Sequence, residues 1–224
     1  MKFKLFFQYL IQTAKLFPKT VIQGMGWLVG FWLISSCIST TLTLGQSQTL
    51  EEHRLYFQGA QFFVDIFELL FVWAFSAHYF NKADSGQTMS FMERLGSRFR
   101  IFIYTAFTVF GKILLWSLAF VLPGIYKQVV LGAWPYEVLL ASDPTHPLKN
   151  SEAKVRPVVL PSALLALSLL GIELFTMAYT PIRGDIQQVL VFFLVNFINI
   201  LLSVFYWGTF YIIYIAHQVP KESQ

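Results

Sequence analysis

Long apolar runs, separated by short polar and basic stretches, dominate the sequence. Six of these runs each approach the roughly 20 residues that an α-helix needs to cross a hydrocarbon layer of about 30 Å. The six predicted spans cover residues 20–43, 57–80, 100–122, 125–142, 158–180 and 187–216. Because backbone polar groups in lipid must be satisfied within each segment, all six should be helical, and Pro135 should kink the short fourth span. The pattern predicts an all-α integral membrane protein with one polytopic membrane domain over residues 1–224.

Residues 2–19 precede the first span and have a different pattern. Apolar side chains recur there every three or four residues, with lysine and glutamine on the opposite face. The apolar positions are Phe3, Phe6, Phe7, Leu10, Ile11, Ala14 and Phe17, and the polar ones are Lys4, Gln8, Gln12, Lys15 and Lys19. This pattern predicts an N-terminal amphipathic helix that lies in the membrane surface, with its lysines at anionic headgroups.

The six spans pair into three predicted hairpins, and a basic amphipathic stretch precedes each pair. These stretches cover residues 3–19, 90–102 and 150–159. One interpretation is a threefold internal repeat of a surface helix followed by a hairpin. The other is that any cytoplasmic loop that re-enters a membrane is basic and amphipathic, without a repeat.

Composition and charge agree with a membrane protein and orient it. Hydrophobic residues make up 56% of the chain and charged residues 12%, against roughly a quarter charged in soluble domains. Twelve of the 16 Lys and Arg residues fall on one side of the predicted layout, and only Arg54 and Arg183 fall on the other. The twelve are Lys2, Lys4, Lys15, Lys19, Lys82, Arg94, Arg98, Arg100, Lys149, Lys154, Arg156 and Lys221. Both termini should therefore be cytoplasmic, in a bacterial cytoplasmic (inner) membrane.

Ionisable side chains inside the predicted spans are the main candidates for function, because an unpaired charge in lipid costs at least about 2.5–3.5 kcal/mol. They are Asp65, Glu68, Lys112, Lys127, Glu137 and Glu173. Glu68 and Lys112 lie at similar depth, which predicts an ion pair. The pair either holds the bundle together or belongs to a polar cavity that handles a proton, an ion or a lipid headgroup. Lys127 should reach the nearby interface with its amine.

A polar stripe on the last span completes this candidate intramembrane cluster. Asn196, Asn199 and Ser203 share one helix face, either for helix packing or along a substrate path. The histidines have no metal-ligand spacing, and the sequence has no glycine-rich phosphate loop or nucleophile motif. The single cysteine, Cys37, excludes an intramolecular disulfide. We therefore expect no metal, no cofactor and no enzymatic activity.

The stretch from Leu122 to Arg156 carries the last motif. Pro123 and Gly124 should form a type II turn between the third and fourth spans, with a positive φ at Gly124. The stretch resembles a group of bacterial six-helix membrane proteins that includes the YciC-like inner-membrane family and the membrane domain of some glycerophosphodiester phosphodiesterases. The matching residues are Leu122, Pro123, Gly124, Ile125, Trp134, Pro135, Asp143, Pro144, Ser151, Glu152 and Ala153. The resemblance implies an integral inner-membrane protein and supplies no catalytic residues.

Two functions are expected from these observations. The first is a non-enzymatic membrane protein that acts as a scaffold, an accessory subunit or a lipid-contacting factor. The second is a small transporter or permease component with a polar path near Glu68 and Lys112. Expected partners are membrane lipids, other membrane subunits or a second copy of the chain, and not nucleic acid. A polar cavity that reaches the two charges favours transport, and an ion-paired core with an apolar groove favours the first function.

Overall fold

The computed structural model of the chain describes residues 2–48, 51–119, 121–142, 144–177 and 186–217. Within these ranges the backbone is helical and contains no strand. The helices are α1 (Lys2–Gln48), α2 (Glu51–Ser85), α3 (Phe91–Ala119), α4 (Val121–Val130), α5 (Trp134–Leu139), α6 (Pro147–Val155), α7 (Val159–Met177) and α8 (Ile186–Ala216), and a 3-10 turn at Arg156–Val158 joins α6 to α7. The prediction of an all-helical protein is confirmed.

Five helical stretches in the described part of the chain are long and apolar enough to cross a membrane. They are Lys2–Gln46, Arg54–Ser85, Phe91–Leu118, Pro147–Ile172 and Ile186–Ala216. These stretches include most of the first, second, third, fifth and sixth predicted spans. The apolar runs predicted several helices long enough to cross a membrane, and these five stretches have the required length.

The segment predicted as the fourth span, residues 125–142, is not one kinked helix. It consists of α4 and α5 with a turn at residues 131–133 between them. Pro135 lies in the first turn of α5, where a backbone N–H has no helical acceptor, so the missing N–H of proline costs no hydrogen bond. Gly132 lies in the turn, and a Cβ there would overlap the ring of Phe210 on α8. The chain therefore breaks where α8 packs against it, and the proline begins the next helix.

A side chain from α6 satisfies the backbone at this break. The N–H of Ala133 donates to Ser151 Oγ at 3.0 Å, and the Ser151 hydroxyl donates to the carbonyl oxygen of Val130 at 3.2 Å. The turn at 131–133 leaves both backbone groups without their helical partners. A buried unpaired backbone group costs about as much as a lost hydrogen bond, so Ser151 stabilises the broken helix.

The predicted type II turn at Pro123 and Gly124 is wrong. Both residues lie inside α4, which begins at Val121, and the one described glycine with a positive φ is Gly86. Pro123 fits the first turn of a helix because no helical acceptor is available to an N–H there. A Cβ on Gly124 would overlap the side chain of Ser117 on α3. Glycine is therefore required at this position for the close contact between α3 and α4.

The predicted surface helix at residues 2–19 is not a separate element, because it continues without a break into α1. α1 has 47 residues and is about 70 Å long, which exceeds the thickness of a bilayer. Phe6, Tyr9 and Thr13 are buried against the rest of the protein, whereas Phe3 and Phe7 are exposed. The predicted apolar face is thus divided between the protein core and the outside. In the same way residues 91–102 form the first turns of α3.

Burial is concentrated at one end of the bundle, where residues 72–80, 129–139 and 206–214 are buried without interruption. Three tryptophans meet there, and the ring centroid of Trp73 lies 5.0 Å from that of Trp134 and 5.4 Å from that of Trp207. We call this end the aromatic core. Lys19 donates to the carbonyl oxygen of Ala83 beside it. The opposite half of the bundle is more open and contains the candidate site.

Candidate functional site

A cleft of about 430 Å³ lies between five helices in the half of the bundle away from the aromatic core. Its floor is formed by Val72, Tyr206 and Trp207, which belong to the edge of that core. Polar side chains of α1, α2, α4 and α8 line much of the remainder. They are Ser39, Gln61, Asp65, Glu68, Gln128, Asn196, Asn199 and Ser203. We call this space the acidic cleft, because its two ionisable residues are carboxylates.

Asp65 is held in place by Gln61 on the preceding turn of α2. The Gln61 side-chain amide donates to Asp65 Oδ1 at 2.8 Å and to Ser39 Oγ at 3.1 Å. These contacts tie α2 to α1 at the cleft wall. Asp65 itself is exposed, so its carboxylate lies at the opening rather than at the floor.

Glu68 lies one turn deeper on the same face of α2 and is half-buried. The side chains of Ser35 and Asn196 are close enough to hydrogen-bond its carboxyl group, and Asn196 also donates to Ser36 Oγ at 2.8 Å. The second carboxyl oxygen, Oε1, is buried and has no hydrogen-bond partner among the described residues. Glu68 thus lines the cleft with one carboxyl oxygen that is buried and makes no hydrogen bond to the described residues.

Lys112 does not pair with Glu68, so that prediction is wrong. The Lys112 side chain is exposed on α3 and takes part in neither of the ion pairs that the structure describes. The buried part of α3, which carries Phe102, Thr105 and Val109, ends one turn before Lys112, and most side chains from there to Leu118 are exposed. Counting residues predicted a similar height for the two side chains, but it could not show that the C-terminal part of α3 is left exposed.

Glu137 lies at the opposite end of the bundle, in the aromatic core. Its Oε1 is 2.6 Å from Lys154 Nζ on α6, and that amine lies 4.2 Å from the ring centroid of Tyr214 on α8. Glu137 thus joins three elements and is separate from the acidic cleft. Lys127 Nζ lies 5.5 Å from the ring centroid of Trp116, also outside the cleft. Glu173 belongs to α7, and its side chain lies outside the described residues.

The structure brings together four of the predicted cluster residues and adds others that the sequence reasoning missed. Asp65, Glu68, Asn196 and Asn199 share the cleft, with Ser203 from the same predicted stripe. The missed polar residues are Ser35, Ser39, Gln61 and Gln128. The signal for Gln61 was its position four residues before Asp65, and the serines form a cluster in the first span.

The side-chain groups that line the cleft suit a proton or a cationic group of a ligand better than a tightly bound metal ion. Two carboxylates, four amides and several hydroxyls line the cleft, and no group of three His, Cys, Asp or Glu residues that could hold a metal ion occurs in the described ranges. Among the described residues that line the cleft there is no Lys, Arg or His. A positive group on a ligand would therefore meet no positive group of the protein.

Comparisons of the chain with protein-family models, with curated proteins and with solved structures find no match. The resemblance of residues 122–156 to the YciC-like family stays a prediction. The function is therefore argued from the geometry of the acidic cleft.

Proposed function

We propose that this protein is a multi-pass membrane protein that binds a cationic group in the acidic cleft, as a small transporter or permease component. The observation that carries the proposal is the position of Asp65 and Glu68 on the wall of a polar cleft whose described lining has no basic residue. A scaffold or lipid-contacting role would be supported by an ion-paired core around Glu68. Neither of the described ion pairs includes Glu68, so this role has less support.

The depth of Glu68 supports a ligand-binding role. Asp84, near the end of α2, accepts a hydrogen bond of 2.8 Å from the Tyr211 hydroxyl at the aromatic end of the bundle. Glu68 precedes Asp84 by 16 residues along α2, which corresponds to about 24 Å. With Asp84 proposed to lie near one membrane surface, this distance supports a position of Glu68 within the apolar layer, where an unpaired charge is costly and most such residues line pathways for substrates or ions. A bound cation removes that cost.

The proposal includes the remaining topology. The Arg98 guanidinium donates to the carbonyl oxygen of Val138 at 3.0 Å, so α4 and α5 return alongside α3 towards its N-terminal turns. We propose that these two short helices form the fourth of six crossings, in three hairpins. The many basic residues around the aromatic core support the proposal that this end and both termini are cytoplasmic, which would put the acidic cleft in the outer half of a bacterial inner membrane. No enzymatic activity is proposed, and the lipids around the bundle are its partners.

The test is a cation-binding measurement on the purified protein in lipid nanodiscs. Tetramethylammonium, Na⁺ and tetraphenylphosphonium are titrated separately by isothermal calorimetry, in two buffers of different ionisation enthalpy. We expect at least one of them to bind and to release protons, because a cation displaces the proton of a carboxyl group. Glu68→Gln should weaken the binding by about tenfold or more and remove the proton release.

Lys112→Gln is the matched control, since it removes a charge at a similar depth outside the cleft. The control should bind as the unchanged protein does. If no cation binds in a manner that depends on Glu68, the proposal of a cation site is refuted and the scaffold role becomes the better account.

A further inference from the structure

We propose that the acidic cleft accepts an organic cation with an apolar body, which enters from the lipid, rather than an inorganic ion. This inference rests on the proposed cation site and specifies the chemical class of its ligand. Four features of the cleft carry it: its apolar wall, its aromatic floor, its size and its opening.

One wall of the cleft is apolar. Among the described residues α7 contributes Ala166, Leu169 and Leu170, and α4 contributes Ile125 beside the polar Gln128. The carboxylates lie on α2, on a different helix from this wall. An inorganic cation in a protein site is held by several oxygen atoms arranged around it. The aliphatic side chains described on α7 offer no side-chain oxygen atoms to such an ion, whereas they suit the hydrocarbon part of an organic ligand.

The floor of the cleft adds aromatic rings. Tyr206 and Trp207 are 4% and 3% exposed, and their ring centroids lie 5.1 Å apart. Aromatic faces attract cations, and the attraction grows when water is excluded. Large apolar cations spread their charge over many atoms and are weakly hydrated. They therefore lose little hydration free energy when they enter the cleft.

The size of the cleft also favours an organic ligand. Its volume of about 430 Å³ lies within the range of about 300–1,000 Å³ that is typical of sites for drug-sized molecules. A small ion with a few water molecules, at about 30 Å³ each, would leave much of the apolar wall against water. A molecule with an apolar body covers that wall and releases the water.

The opening of the cleft lies on the outer surface of the bundle. Leu170 lines the cleft and is 38% exposed, and Asp65 is exposed at the same opening. The neighbouring surface of α7 carries exposed Leu164 and Leu167, so this surface faces lipid. A ligand that partitions into the bilayer reaches the opening laterally, with its charge directed to Asp65 and then to Glu68.

The experiment compares two cations that differ in their apolar bodies. Tetraphenylphosphonium and tetramethylammonium are titrated into nanodiscs of neutral lipid that contain the protein, with protein-free nanodiscs subtracted. Tetraphenylphosphonium should bind more tightly, and Glu68→Gln should weaken it by about tenfold or more. Ala166→Trp fills the space beside the apolar wall and should weaken the binding of tetraphenylphosphonium by about tenfold. Any binding of tetramethylammonium should remain.

Leu167→Trp is the matched control, because it makes a similar substitution one residue further along α7 on the exposed side. It should bind both cations as the unchanged protein does. If only tetramethylammonium binds and its binding depends on Glu68, the inference is overturned and the proposed cation site stands. If Ala166→Trp binds tetraphenylphosphonium as tightly as the control, the apolar wall is not its site. If the binding of neither organic cation depends on Glu68, this inference is overturned, and the proposed cation site is overturned as well when Na⁺ binding is equally independent of Glu68.

Discussion

Glu137 and Lys154 form a buried ion pair that joins the broken helix to α6, with Glu137 Oε1 2.6 Å from Lys154 Nζ. The Glu137 side chain is 4% exposed and that of Lys154 is 18% exposed. Removing one partner of such a pair leaves a charge that is neither hydrated nor neutralised. The pair is therefore a sensitive point of the fold although it lies far from the acidic cleft.

Lys154→Met should destabilise the protein by about 3–5 kcal/mol, because it leaves the Glu137 carboxylate unpaired in a buried position. Replacing both partners, with Glu137→Gln and Lys154→Met, should recover most of the loss. The stability of both variants is measured by thermal unfolding in detergent, with size-exclusion chromatography used to determine the fraction of monomer that remains. The exposed pair of Arg156 and Glu152, 71% and 35% exposed, gives the control, and Arg156→Met should change stability by less than about 1 kcal/mol. Equal losses for Lys154→Met and Arg156→Met would show that burial of the Glu137 pair is unimportant.

Ser151→Ala should destabilise the turn between α4 and α5. The substitution removes the acceptor of the Ala133 N–H and the donor to the Val130 carbonyl oxygen, at a cost of about 1–3 kcal/mol. Hydrogen exchange of the amides at 131–134 should become faster, and the melting temperature should fall. Ser168→Ala is the control, because Ser168 is exposed and only donates to Leu164 on its own helix. Unchanged exchange at the turn in Ser151→Ala would contradict the role assigned to Ser151.

The helices and the class of protein could be predicted from the sequence because they depend on local patterns. Apolar length specifies a membrane-crossing helix, and the stripe of Asn196 and Asn199 identified one wall of the cleft from spacing alone. The predicted pairing of Glu68 with Lys112 failed, because counting residues gives a height along a helix but not which part of that helix packs against its neighbours. The break in the fourth span depends on Phe210 and Ser151, which are distant in sequence from the turn.

Gly208→Ala should destabilise the aromatic core, whereas Gly26→Ala should not. A Cβ on Gly208 would overlap the ring of Phe80, which is fully buried and cannot move aside without disturbing its neighbours. Such overpacking costs about 1–3 kcal/mol. At Gly26 a Cβ meets nothing within 4 Å, so alanine should be neutral or should raise stability by up to about 1 kcal/mol through helix propensity. Thermal unfolding of the two variants side by side measures the difference, and a loss at Gly26 equal to that at Gly208 would contradict the packing described for α8.

Single cysteines test whether the acidic cleft holds water and faces the outside of the cell. With Cys37→Ser as the background, Ser203→Cys places a thiol on the cleft wall and Leu167→Cys places one on the exposed face of α7. A methanethiosulfonate reagent with a permanent charge reacts with the thiolate, which forms only where water reaches the sulfur. We expect Ser203→Cys to react when the reagent is added outside intact cells, and Leu167→Cys to stay unlabelled because lipid covers it. Tetraphenylphosphonium should slow the reaction at Ser203→Cys, since it occupies the same space. Labelling only from the cytoplasmic side would reverse the proposed orientation, and equal labelling at the two positions would show that the cleft does not differ from the lipid-facing surface.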